Sequence, residues 1–204
     1  MKKLGFLAVL LGCLLFTGVA FAQQGDAMFS LSTVGTPSNN GCQISSLYGI
    51  ACPESGGLYT GVGADVIFHR RMGVGFDIDW RATQGYYGGS GGEPYRPIQF
   101  DFNGVYQPKL GKKLGADVFG GIGWQSTRFY TNQYSCGYFS GCINYNTSTH
   151  FLIDAGVGLR YYVWGHFFVR PEARYYYVNN NTNDFTSNNL FRVGASIGYT
   201  IGPD

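Results

Sequence analysis

Apolar and polar residues alternate with a period of two along most of the chain, the repeat that sends successive side chains to opposite faces of a β-strand. Val74, Phe76, Ile78, Trp80 and Ala82 share one face, and Gly75, Asp77, Asp79, Arg81 and Thr83 share the other. Ile98, Phe100, Phe102 and Tyr106 oppose Gln99, Asp101, Asn103 and Gln107 in the same way. The alternation recurs from Leu114 to Trp124, Phe151 to Tyr161 and Phe191 to Ile201. Further segments run from Ala27 to Val34, Leu58 to Phe68 and, least regularly, Phe167 to Val178, so eight strands are predicted. The connections alternate in length. Long polar stretches at 35–57, 84–96, 127–149 and 179–189 follow the odd strands, and short turns at 69–71, 108–113 and 164–166 follow the even ones. All long loops thus fall at one end and both termini at the other, which predicts an all-β, eight-stranded antiparallel up-and-down transmembrane β-barrel.

Periodicity does not say which face points inward, and a soluble barrel of lipocalin type would bury the apolar one. Three features favour the opposite arrangement. Gly61, Gly63, Gly75, Gly121, Gly123, Gly156, Gly158, Gly194 and Gly198 share parity with the charges, as the crowded inner wall of a narrow barrel requires. Aromatic residues of the apolar face gather toward strand ends. Trp80, Trp124, Phe151, Tyr175, Tyr177 and Phe191 form one belt and Phe68, Tyr106, Tyr161, Phe167 and Tyr199 a second, with mostly aliphatic residues between, matching the two membrane interfaces. Finally, the apolar face carries no charge, as expected where a charge at the bilayer midplane costs roughly 2–4 kcal/mol.

Composition agrees. Charged residues make up 13% of the chain, against about 25% in soluble domains, while 45% apolar content argues against disorder. Only the N-terminus is apolar for long enough to make a membrane helix, which excludes a helical bundle. There, Lys2 and Lys3 precede an apolar run from Leu4 to Val19 and the small-x-small site Ala20-Phe21-Ala22. Residues 1–22 read as a cleaved signal peptide and 23–204 as the barrel; a lipoprotein signal ending at Cys13 is disfavoured because the apolar run continues past it. Removing Lys2 and Lys3 from 14 basic residues leaves 12 against 12 acidic ones, so no electrostatic footprint for nucleic acid exists. The remaining Cys42, Cys52, Cys136 and Cys142 allow three disulfide pairings, of which short local closure favours Cys42 with Cys52 and Cys136 with Cys142. Free thiols are the alternative. Neither metal nor cofactor is expected, since the cysteine spacings are not those of zinc ligands and no phosphate-binding glycine motif occurs.

Inward parity collects Asp65, Asp77, Asp79, Asp101, Asp117, Asp154 and Glu172 against Arg81, Arg160, Arg170, Arg174 and Arg192. The acids lie mostly on strands two to five and the arginines on six to eight, opposite one another, which predicts a charge-paired plug with no role in acid–base catalysis. Ser148 and His150 share a parity near the predicted loop end but have no acidic orienter in sequence, so no catalytic residue is assigned. Tyr48, Tyr86, Tyr87, Tyr95, Tyr130, Tyr134, Tyr138 and Tyr145 lie among Gly, Ser and Asn in the long loops, a composition suited to binding and equally to solvated loops. Pro171, in mid-strand, predicts a bulge or register change.

The signal peptide, the amphipathic strands and the alternating loops resemble the OmpA-like small outer-membrane β-barrels of Gram-negative envelopes. The last segment, Arg192-Val193-Gly194-Ala195-Ser196-Ile197-Gly198-Tyr199-Thr200-Ile201, is similar to that group's sorting signal. The resemblance implies recognition by the barrel-assembly machinery, outer-membrane lipid as surroundings, extracellular long loops and periplasmic termini. A non-enzymatic monomer with a structural or surface-interaction role is the expected function. The alternatives are an adhesin-like protein that takes an extracellular ligand through its braced loops, and a narrow ion or solute channel.

Overall fold

A computed structural model describes residues 24–37, 42–45, 49–54, 56–69, 71–86, 92, 94–137 and 141–202. The expected signal peptide, and Tyr48, Tyr87, Tyr134 and Tyr138, lie outside the described residues or their side chains. The strands are β1 (Gln24–Gly35), β2 (Gln43–Ser45), β3 (Gly49–Ala51), β4 (Tyr59–His69), β5 (Met72–Arg81), β6 (Gly85–Tyr86), β7 (Pro94–Tyr106), β8 (Leu114–Gly137), β9 (Gly141–Trp164), β10 (Phe167–Val178) and β11 (Asn189–Ile201). A single 3-10 turn, Asn181–Asn183, interrupts the last connection. The eight long strands pair antiparallel with their sequence neighbours, and β1 pairs with β11 to close the ring. β2 and β3 form a small separate hairpin in the first loop.

Parity assigns every stave as the sequence predicts. Val62, Val118, Ile153, Val157 and Ile197 point outward and are exposed, while Asp77, Asp101, Arg160 and Arg174 are buried inside. All eleven belt aromatics lie on the outer wall, with Phe167 against Tyr199, Trp124 against Phe151 and Tyr175 against Phe191. The band between the belts is not purely aliphatic, because Phe76 and Phe102 stack in its middle at 4.9 Å between ring centroids.

Two expectations are corrected. Residues 127–149 are not a loop: β8 runs to Gly137 and β9 starts at Gly141, paired from Gln125↔His150 to Tyr130↔Tyr145 and, after a bulge, at Cys136↔Cys142. One face of this extension holds Ser126, Arg128, Tyr130, Tyr145 and Thr147 and the other Thr127, Phe129, Asn146 and Ser148, so it lacks the apolar alternation that marks a strand half-buried in lipid or core. Pro171 causes no register change. The pairing of β10 with β9 skips Arg170 and Pro171 but keeps one frame from Val169↔Tyr161 to Glu172↔Gly158. Losing one ladder donor is tolerated because β10 stays fully paired with β11 on its other side.

Candidate functional site in the lumen and its two mouths

Four arginines from β9, β10 and β11 hold the lumen carboxylates, reaching Asp26, Asp65, Asp77 and Asp79 on β1, β4 and β5 as well as Asp117 on β8 and Glu172 on β10 itself. Near the turn end, the Arg160 guanidinium donates to Asp26 at 2.6 Å and to Asp117 at 3.0 Å. Arg170 meets Asp65 at 3.4 Å, Asp117 at 3.3 Å and Glu172 at 2.8 Å. Halfway up, Arg174 holds Asp77 at 2.9 Å and Glu172 at 3.4 Å, and Arg192 pairs with Asp79. Flat rings separate these charges, with Arg160 4.2 Å above Phe168 and Arg174 4.1 Å above Phe119. Glycine makes the room. A Cβ at Gly198 would fall 2.3 Å from the Phe168 ring, and one at Gly156 would fall 2.2 Å from Phe119.

Toward the loop end the lumen changes character. Val34, Tyr59, Leu152, Tyr176, Val178 and Leu190 form a buried apolar cluster. Beside it Gln99 donates to Gln125 at 2.9 Å, and Gln125 donates to Glu54 at 2.8 Å. Glu54 comes from the first loop, two residues after Cys52, and also accepts from Tyr59 at 3.0 Å. It is fully buried, and burial pushes its carboxyl up to about 7 against the opposing hydrogen bonds and the Arg81 charge.

Of the predicted lumen charges, Asp65, Asp77, Asp79, Asp101, Asp117, Arg160, Arg170, Glu172, Arg174 and Arg192 meet in this network, Asp101 through Arg174 at 3.6 Å and Tyr176 at 3.1 Å. Two do not join it. Asp154 is buried, yet neither carboxylate oxygen has a hydrogen-bond partner, because Arg174 and Arg192 are taken up by Asp77, Asp79 and Glu172. Arg81 has no carboxylate in ion-pair range among the described residues; it donates to the Tyr95 hydroxyl at 2.7 Å and lies over that ring. Asp26, Glu54 and the inward apolar side chains are what sequence reasoning missed. The signal for the last was present, since Val34, Leu152, Val178 and Leu190 share the parity of the charges.

The two disulfides are Cys42–Cys52, beside the β2–β3 hairpin, and Cys136–Cys142, across the tip of β8–β9. His150 lies 2.9 Å from Ser148 and 2.8 Å from Asp184, an acid 34 residues away whose approach no sequence pattern signals. Both contacts are to Nε2. One ring nitrogen cannot take the proton of a serine while donating to an orienting carboxylate, so this trio lacks the geometry of a nucleophile relay. No cluster of three or more His, Cys, Asp or Glu placed to hold a metal occurs among the described residues.

The family model described as outer membrane protein beta-barrel domain matches residues 8–198. The chain belongs to that family. An OmpA-like outer-membrane β-barrel is therefore its fold and the bacterial outer membrane its compartment. No curated protein matches it in sequence. Among solved structures the barrel is similar to Neisserial surface protein A, with a TM-score of 0.58 at 11% identity over 86% of this chain and 95% of that one. It is also similar to Ail of Yersinia pestis (TM-score 0.55, 10% identity, 87% and 98% covered). The N-terminal barrel of Pseudomonas aeruginosa OprF gives a TM-score of 0.54 at 10% identity, with 88% and 99% covered. At such identities the likeness is one of fold.

Proposed function

We propose that this outer-membrane barrel is a non-enzymatic, non-conducting envelope protein that presents a braced hairpin at the cell surface, its long loops extracellular and its termini periplasmic. The observation that carries the reading is the β8–β9 extension, which continues past the Trp124–Phe151 belt for roughly 30 Å along β9 and ends in a disulfide. A barrel that only sealed the membrane would not need two strands to outrun their neighbours. The ion-paired lumen supports a closed pore, a monomer suffices for it, and β11 is the segment the barrel-assembly machinery would read. Ail was crystallised with the heparin analogue sucrose octasulfate. Here only Arg96 and Arg128 stand outside the mouth at the loop end among the described residues, and Arg128 is drawn over the Tyr145 ring, which favours a neutral partner met by Tyr, Thr and Asn.

Expressing cells should attach to an epithelial monolayer less when Tyr130 is joined to Tyr145 by a short turn, at unchanged barrel level on a heat-modifiability gel. Attachment equal to that of the parent would overturn the presenting role. The partnerless carboxyl of Asp154 favours one second reading, a narrow conduit. Planar bilayers should show no discrete openings; openings that change with Asp154→Asn would favour the conduit.

A further inference from the structure

We propose that the turn-end mouth binds the phosphate group of an anionic phospholipid of the leaflet that surrounds it. The assignment starts from charge placement. Lys109, Lys112 and Lys113 are the only lysines of residues 23–204, and all three fall in the single turn between β7 and β8. They and Arg71, from the turn between β4 and β5, are exposed, and no carboxylate lies within ion-pair distance of them among the described residues. Every other described cation below the loop end is buried against lumen carboxylates.

These side chains edge a cavity of about 410 Å³. Its floor is polar, made by Gln107, Tyr162 and Thr200 together with the already paired Arg160 and Asp117. The Asp117 carboxylate does not oppose an anion strongly, because Arg160 and Arg170 both hold it.

The outer rim identifies the source of the anion. Leu110 is 58% exposed, Val163 55% and Trp164 80%, on the same turn and the neighbouring one. A free anion would use the lysines and leave this strip in water. A phospholipid satisfies both, with acyl chains along Leu114, Val163 and Trp164 and its phosphate beside the ammonium groups, where basic residues attract anionic headgroups. That the leaflet is the periplasmic one rests on the orientation proposed above; the recognition chemistry does not.

The mature chain in detergent, mixed with phosphatidylglycerol or phosphatidylethanolamine and read by native mass spectrometry, tests the assignment. Phosphatidylglycerol should be retained selectively. Lys109→Gln/Lys112→Gln/Lys113→Gln should lower that retention by about tenfold or more, and Arg71→Gln by less. Arg96→Gln/Arg128→Gln, at the other end, should leave it unchanged. Equal retention by the parent and the triple variant, or no preference over phosphatidylethanolamine, would overturn the site. If inorganic phosphate displaces the lipid at comparable concentration, the apolar rim contributes nothing and the lipid assignment fails. Should the triple variant lose its heat-modifiable band, Lys112→Gln alone carries the same comparison. Detergent exposes both mouths, so these outcomes are independent of orientation. Labelling of Lys112→Cys by a membrane-impermeant maleimide on whole cells would instead refute the periplasmic placement.

Discussion

The two halves of the lumen solve the same problem with different chemistry. At the turn end, carboxylates of β1, β4 and β8 are held directly by Arg160 and Arg170, and each acid has a cation as its main partner. At the loop end, amides and hydroxyls relay from Gln99 through Gln125 to Glu54 beside an apolar cluster, with one carboxyl among neutral donors. The contrast separates two kinds of vulnerability. An ion-paired half tolerates no missing partner, whereas a hydrogen-bonded half tolerates replacement but responds to the protonation of its single acid.

The sharpest test of this contrast is Arg160→Leu. It leaves Asp26 and Asp117 without their principal cation and should cost roughly 3–5 kcal/mol of barrel stability, the range for breaking a buried pair. Gln99→Leu in the other half removes the neutral hydrogen bond to Gln125 and a long one, 3.4 Å, accepted from Arg192, and should cost about 1–3 kcal/mol. Urea unfolding of both variants from lipid vesicles, followed by gel mobility, gives the comparison. Equal losses would show that the two halves are not held differently.

Glu54 supplies the next effect. Its carboxyl in the docked loop is raised to about 7 from an ordinary value of 4.5, so the docked state binds the proton more tightly than the undocked one. Docking is therefore strongest below pH 4.5 and weakens as pH rises through 7, by an amount on the order of 3 kcal/mol. The facing groups are Tyr59, Gln125, Asn181 and Arg81, of which Arg81 carries the charge that limits the rise. Hydrogen exchange across residues 49–58, corrected for intrinsic rates, should show protection falling from pH 5 to pH 8 in the parent and staying level in Glu54→Gln. Parallel profiles would remove Glu54 as the titrating group.

The sequence made the ion-paired half readable and hid much of the other for a physical reason. Wherever a stave touches lipid on one side, apolar and polar positions must alternate, so the parity of Asp65, Asp77, Asp117, Arg160 and Arg170 could be read without coordinates. Asp26 escapes such a reading because the apolar alternation of the first segment is legible only from Ala27 onward. Glu54 and Asp184 come from loops, whose path into a mouth leaves no periodic trace. Thr127 and Phe129 at the base of the β8–β9 extension still pack inward, but from Tyr130 onward the described side chains are exposed or half-buried, so nothing compels alternation there and a paired strand looks like a loop. Asp154 shows the converse limit, since parity places a side chain inside but does not say whether a partner reaches it.

The smallest effect tests whether the hairpin tip belongs to the barrel's energetics at all. Cys136–Cys142 closes a short stretch of chain at residues already paired across the sheet, so the entropy it removes from the unfolded chain is modest. Cys136→Ser/Cys142→Ser should change barrel unfolding by about 1 kcal/mol or less, below the chain-entropy expectation, because the tip can fray while the staves stay closed. The same variant should lose protease resistance across residues 130–145, which hold Tyr and Phe but no Lys or Arg, read by limited chymotrypsin digestion of intact cells. If barrel unfolding instead shifts as far as it does in Arg160→Leu, the extension and the ion-paired half of the lumen form one cooperative unit.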